Sequence, residues 1–79
     1  MSKISIVVPF HNEEKSVKIT ILAISSFLKR HRLDGEIIAV NDRSTDNTGK
    51  YLKILQKSVT KLRIIDRKGD YSDVQIGYA

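Results

Sequence analysis

Two short apolar runs, KISIVV at residues 3–8 and EIIAV at 36–40, each stop abruptly at polar residues, and a helix-start signal follows each at once. Continuous apolar character, rich in β-branched side chains, marks a strand covered on both faces, as in a parallel sheet. The first strand is expected over Lys3–Val8, bounded by Pro9, and the second over Glu36–Val40. A third short strand is expected at Leu62–Ile65, closed by Gly69.

Between these runs the period changes from strand to helix. Asn12 offers an N-cap, with Glu13 and Glu14 in the first turn, where the helix dipole favours anions. Val17, Ile21, Ile24 and Leu28 follow the 3.6-residue period, with Ala23 and Phe27 widening the face, and Asp34-Gly35 ends the segment. Ser44 is the expected cap of a second helix, with Asp46 in its first turn and Tyr51, Leu52, Leu55 and Val59 on its buried side. A third helix is expected to begin within Asp70–Ala79. The order β-α-β-α-β predicts a Rossmann-like α/β unit: a parallel sheet with right-handed crossovers.

The chain has 79 residues, which allows one small domain, and chains of this size bury only about 60% of their unfolded surface. Three strands and two helices are half of a doubly wound domain, so one face or edge of the sheet is expected to stay uncovered. Residues 1–79 are read as a single partial domain, the front part of something larger. Cysteine is absent, which removes disulfides, thiolate metal sites and cysteine nucleophiles together. A net charge of +5 raises the question of nucleic acid. The charges are spread over Lys29/Arg30/Arg32, Lys57/Lys61/Arg63 and Arg67-Lys68, and no aromatic side chain is interleaved with them as base stacking would require. They are read as a solvated basic surface, with no nucleic acid partner. The apolar run Ile4–Val8 is too short for a secretory signal, and residues 17–28 are too interrupted for a membrane span, so a cytoplasmic location is expected.

In open parallel sheets ligands bind beyond the carboxyl ends of the strands. There the first strand delivers Pro9-Phe10-His11-Asn12-Glu13 and the second delivers Asn41-Asp42-Arg43-Ser44. A phosphate-binding turn should be rich in glycine and free of acid, and PFHNEE is neither. Carboxylates in a crevice call for hydrogen donors: sugar hydroxyls, base N–H groups or a metal ion. A nucleoside fits, with Asp42 accepting from a base imide and Glu13 from ribose or base. The bland alternatives are an Asx-turn at Asp42 and a helix-dipole role for Glu13. His11 is balanced between a ligand contact and a solvated loop histidine, and His31 is read as a solvated charge carrier. No serine–histidine–carboxylate triad or two-histidine metal site can be argued.

These two segments together resemble the amino terminus of a family 2 glycosyltransferase of the GT-A fold. The family opens with an apolar strand and P-x-Y-N-E-E, and this chain has SIVVPFHNEE, with His11 in place of tyrosine. The family's second strand ends in D-D-G-S-x-D-G-T, and this chain has NDRSTDNT, with Asn41 for the first aspartate and Arg43 and Asn47 for the glycines. A turn that needs positive φ would be strained at Arg43 or Asn47. The resemblance implies that Pro9, His11 and Glu13 line a nucleoside pocket, that Asp42 holds the base with Asn41 beside it, and that Arg67 contacts the diphosphate side. It implies a UDP- or GDP-sugar donor and a divalent cation, magnesium or manganese, whose D-x-D ligands lie beyond Ala79. Similarity to polyprenyl-phosphate sugar transferases implies a lipid-phosphate acceptor, at the cytosolic face of a membrane. The chain alone is expected to be an inactive part of such an enzyme. The alternatives are a non-catalytic nucleotide-binding module or vestigial fragment, a receiver-like domain, and a basic nucleic-acid binder. Paired acids belong after the first strand in a receiver, and here the acid–amide pair follows the second.

Overall fold

The computed structural model describes residues 3–68 as β1 (Ile4–Phe10), α1 (Val17–Arg30), β2 (Gly35–Asp42), α2 (Thr48–Gln56) and β3 (Leu62–Arg67). The three strands form one parallel sheet in the order β1-β2-β3, so β2 is central. This is the expected Rossmann-like α/β arrangement, consistent with the start of a GT-A domain. The third-helix expectation at Asp70–Ala79 and the closing role of Gly69 lie outside the described residues.

Each strand runs further than the apolar run that marks it. Pro9 sits inside β1 opposite Val40, which is tolerable because β1 is bonded along only one side among the described residues and a missing N–H on the free side breaks no ladder. The register sets Ile6 beside Ile37 and Val8 beside Ala39, then Ile37 beside Leu62 and Ala39 beside Ile64. These side chains face the helices. Val17, Ile21 and Leu28 of α1 and Leu52 and Leu55 of α2 close over them, with Phe10 and Val59 completing the core. Burial of each large aliphatic side chain contributes about 1.5–3 kcal/mol, and Ile21, Ile37 and Leu52 are at most 1% exposed.

Both helices lie on one face, so among the described residues the sheet has a face without helix cover, as the count of elements suggests, rather than strands covered by helices on both sides. Two right-handed crossovers that step the same way along a sheet put their helices on the same side. The opposite face carries Val7–Ile38–Arg63, then Pro9–Val40–Ile65, then Asp42–Arg67 as successive cross-strand rows. Val7 is 51% exposed there. The helix faces are also narrower than expected. Ala23 and Phe27 are exposed, as is Tyr51, because two rows of contacts fill the groove between the helices and the sheet.

The helix starts differ from the sequence reading as well. Ser16, not Asn12, precedes α1, and Asn47, not Ser44, precedes α2. Neither makes a side-chain cap bond. The acids expected in the first helical turns stand before them, in loops that bond to each other. At the other end α1 closes in a Schellman motif: Leu33 N–H donates to Leu28 O at 2.9 Å and Arg32 N–H to Lys29 O at 3.1 Å. Arg32, at φ 54°, takes the left-handed position that glycine usually fills.

Charge is divided along the strand axis. Lys3, Lys29, Arg30, Arg32, Lys57, Lys61 and Arg63 gather at the amino ends of the strands, with Asp34 and Glu36 the acids there. Glu13, Glu14, Asp42, Asp46 and Asp66 lie at the carboxyl ends, where Lys15, Arg43, Arg67 and Lys68 nearly balance them, so the excess of positive charge sits at the amino ends.

Candidate functional site

The parallel register brings the ends of β1 and β2 together, with Phe10 beside Asn41 and Asp42 beside Arg67. The two loops that leave them are interlocked. Asn12 stands at φ 50°, in the left-handed region that asparagine tolerates. There its backbone N–H donates to Ser44 Oγ at 3.0 Å, and its side-chain Oδ1 accepts from the backbone N–H groups of Thr45 at 2.7 Å and Asp46 at 3.3 Å. Glu14 Oε1 accepts from Asn47 N–H at 2.9 Å. Glu13 N–H donates to the hydroxyl of Thr48 at 3.0 Å, and that hydroxyl donates in turn to Asp46 Oδ1. Thr48 is fully buried. Its hydroxyl, chiefly, holds the Asp46 carboxyl below its ordinary value, helped by the Thr48 and Glu14 N–H groups and opposed by desolvation.

His11 ties Glu13 to Asp42. Its backbone N–H donates to Glu13 Oε1 at 3.2 Å, and its ring Nδ1 lies 2.7 Å from the Asp42 carbonyl oxygen. A carbonyl only accepts, so Nδ1 carries the proton and Nε2 of the neutral ring is an acceptor. Asn12 Nδ2 stands 3.5 Å from it. Glu13 and Asp42 therefore share one rim, joined through a single residue.

The Asp42 carboxylate is held between two guanidiniums. Arg43 Nε donates to Oδ1 at 3.1 Å, and Arg67 Nη1 is 3.7 Å from Oδ2. This is an ion-paired cluster rather than an Asx-turn. Its three charges sum to a cation, so the rim is less hostile to phosphate than PFHNEE suggests. Arg43 stands at φ 53°, the strained position that the glycine of the family pattern implies, whereas Asn47 at φ −87° is unstrained. Pro9, Val40 and Ile65 form an apolar row beneath Asp42 and Arg67 on the face opposite the two helices. Beside the rim an open cavity of about 310 Å³ is walled by Asn12, Glu13, Glu14 and Asp46.

Asn41 points the other way, beneath α2. Its Nδ2 donates to Asp66 Oδ1 at 3.1 Å, and a Cβ on Gly49 would come within 2.7 Å of that nitrogen. Its Oδ1 is buried without a partner among the described residues. The departure from aspartate has a physical reason here: a second carboxylate would face Asp66. Pro9, His11, Glu13, Asp42 and Arg67 thus come together, and Asn41 sits behind them. Asn12, Glu14 and Thr48, which carry the interlock, were assigned helix-start roles or none in the sequence reading. Their partners are more than thirty positions away, and no local signal points to them. Among the described residues no three His, Asp or Glu side chains cluster as ligands would. The magnesium or manganese ion implied by the resemblance finds no donor set there.

A parallel α/β unit with its polar residues collected on the carboxyl rim, an acid–arginine cluster at the centre, is of the Rossmann-like α/β class. Residues 5–72 match Glycosyl transferase family 2, and the chain belongs to that family. It is similar to a probable glycosyltransferase, YdaM of Bacillus subtilis (strain 168), at 32% identity over 69 residues. The match takes in 86% of this chain and 16% of that relative, so the chain spans a small part of the relative's length. Among the described residues no helix is long and apolar enough to cross a membrane.

Proposed function

We propose that this chain supplies the donor-nucleoside pocket of a glycosyltransferase that uses a nucleotide-diphospho-sugar. The observation that carries the reading is the shared rim, where Asp42 and Glu13 are linked through His11 above an apolar row. A base laid over Pro9, the exposed member of that row, directs its N–H edge to the remaining lone pairs of Asp42. Arg43 and Arg67 then offer positive charge on the side where a diphosphate leaves the ribose. In the transfer, an acceptor oxygen bonds to the anomeric carbon. The bond to the diphosphate oxygen breaks and its electron pair departs with the nucleoside diphosphate. The residues described here bind and orient the donor. The acceptor, a hydroxyl or a lipid phosphate at the cytosolic face of a membrane, and the divalent ion belong to the same proposal through the family resemblance alone.

Titration with uridine, guanosine and cytidine diphosphates, followed by calorimetry or amide shifts, tests the pocket. Uracil and guanine carry a ring N–H donor that cytosine lacks, so the first two are expected to bind about tenfold more tightly. Asp42→Ala should erase that difference. Equal affinity of wild type and variant for all three would remove Asp42 from base recognition. A second reading, a nucleotide-binding module without transfer activity, draws on the fact that Glu13, Glu14, Asp42, Asp46 and Asp66 all accept bonds within the fold. It expects the same binding and no sugar transfer when the chain is joined to the remaining parts of a family member.

A further inference from the structure

A second cavity, of about 270 Å³, opens at the opposite end of the sheet, between the last turn of α1 and the loop joining α2 to β3. Its floor is apolar: Leu28, Leu33, Ile37 and Val59. Its rim is cationic, with Lys29, Arg32 and Lys61, and the hydroxyl residues Ser58 and Thr60 stand between them. We propose that it binds a small amphiphilic anion, a single carboxylate or phosphate monoester head on a short apolar body. The site is separate from the nucleoside rim and does not rest on the function proposed for it.

Three features carry the assignment. The first is charge. The acids at this end are already engaged: Asp34 with Lys61 at 3.0 Å, and Glu36 with the Ser5 hydroxyl at 2.8 Å and Arg63 at 3.6 Å. Lys29 and Arg32 have no carboxylate partner among the described residues. The carboxyl ends of two helices also face this rim, and a helix dipole contributes about half a negative charge. Their carbonyls are occupied, however. Phe27, Leu28 and Lys29 accept from His31, Leu33 and Arg32, and Leu55 accepts from Ser58 and Val59. The integral charges therefore dominate, and the rim favours an anion.

The second feature is shape. An apolar floor under a cationic rim suits a charged head carried on a short apolar body. Leu28, Ile37 and Val59 are under 9% exposed, so the floor is fixed by the core itself. The third feature is the backbone of Arg32. A β-carbon at φ 54° is unfavourable, and glycine would fill the turn without strain. The arginine there lines the mouth of an apolar hole, where the fork of its guanidinium suits a carboxylate or phosphate.

Amide-shift titration of the whole chain compares octanoate and octyl phosphate with octanol, which has no charge, and inorganic phosphate, which has no tail. Saturable shifts confined to residues 25–35 and 58–61 are expected with the first two, and at least about tenfold weaker binding with the others. The response to octanoate against octyl phosphate shows which head the site takes. Arg32→Gly relieves the turn, so it should weaken octanoate binding about tenfold while leaving the fold no less stable. Lys29→Gln gives an independent second variant. Octanol binding as tightly as octanoate, or both variants binding octanoate like wild type, would overturn the proposal. So would tight adsorption to phosphatidylglycerol vesicles without any response to the soluble amphiphiles, which would make this end a flat membrane-facing surface.

Discussion

Replacing Arg32 with glycine should make this protein more stable. Arg32 is the left-handed residue of the Schellman motif that closes α1, and its side chain is exposed, so little packing is lost on removing it. A β-carbon in that conformation costs about 1–2 kcal/mol. Glycine recovers this but gives back about 0.5–1 kcal/mol through the greater freedom of its unfolded chain. The net gain lies between about 0 and 1.5 kcal/mol, with a midpoint of about 0.75 kcal/mol, which for a domain of this size raises the melting temperature by about 3–6 °C. Urea unfolding followed by circular dichroism reads it as a higher midpoint with an unchanged slope. Arg32→Ala is the control, because it removes the same charge and length but keeps the β-carbon. If alanine and glycine shift the midpoint equally, the gain comes from the lost side chain, and the account of backbone strain is wrong.

Asn41→Asp should destabilise the fold by about 1–3 kcal/mol near neutral pH, since it sets a carboxylate against Asp66; melting at falling pH should show the penalty vanish as the pair takes up a proton. Thr48→Val removes the hydroxyl that Glu13 N–H donates to and that Asp46 accepts from, at a cost of about 1–2 kcal/mol at pH 7. The Asp46 carboxyl is depressed in the folded state, so its stabilisation is present above the unfolded value, near 3.8, and is lost as pH falls through the folded one. The variant should therefore lose less stability on acidification than wild type does, which melts between pH 7 and pH 3 would show. Gly35→Ala puts a methyl 2.8 Å from Leu28 Cδ2 and 3.2 Å from the Ile4 carbonyl oxygen; a loss of about 1–3 kcal/mol in chemical unfolding is expected.

The alternation of strands and helices was legible in the sequence because it rests on local periodicity, and so was the strain at Arg43, where a glycine pattern met a long side chain. That one face or edge would lack helix cover was legible from the count of elements; which side chains it takes in was not. The run at 36–40 reads as buried on both sides; Ile38 and Val40 face away from the helices, where Ile38 is half-buried and Val40 is still buried, and only the direction of the crossovers decides which side the helices take. The rim was legible as a location and not as a network. Asp42 and Arg67 meet because β2 and β3 pair in one particular register, and nothing near either residue specifies it. Asn12 has the composition of a helix cap, and the same side-chain oxygen serves a different loop because its own helix starts only at Val17.

The separation of charge between the two ends has a practical side. On a negatively charged support, such as a carboxylated sensor matrix or a cation exchanger, the molecule should settle on the end that carries Lys29, Arg30, Arg32 and Lys57. Asp42 and its neighbours then face the flowing liquid. An assay built on such a support leaves the nucleoside rim open to solute and covers the opposite cavity, so the two halves of this molecule call for two different ways of holding it.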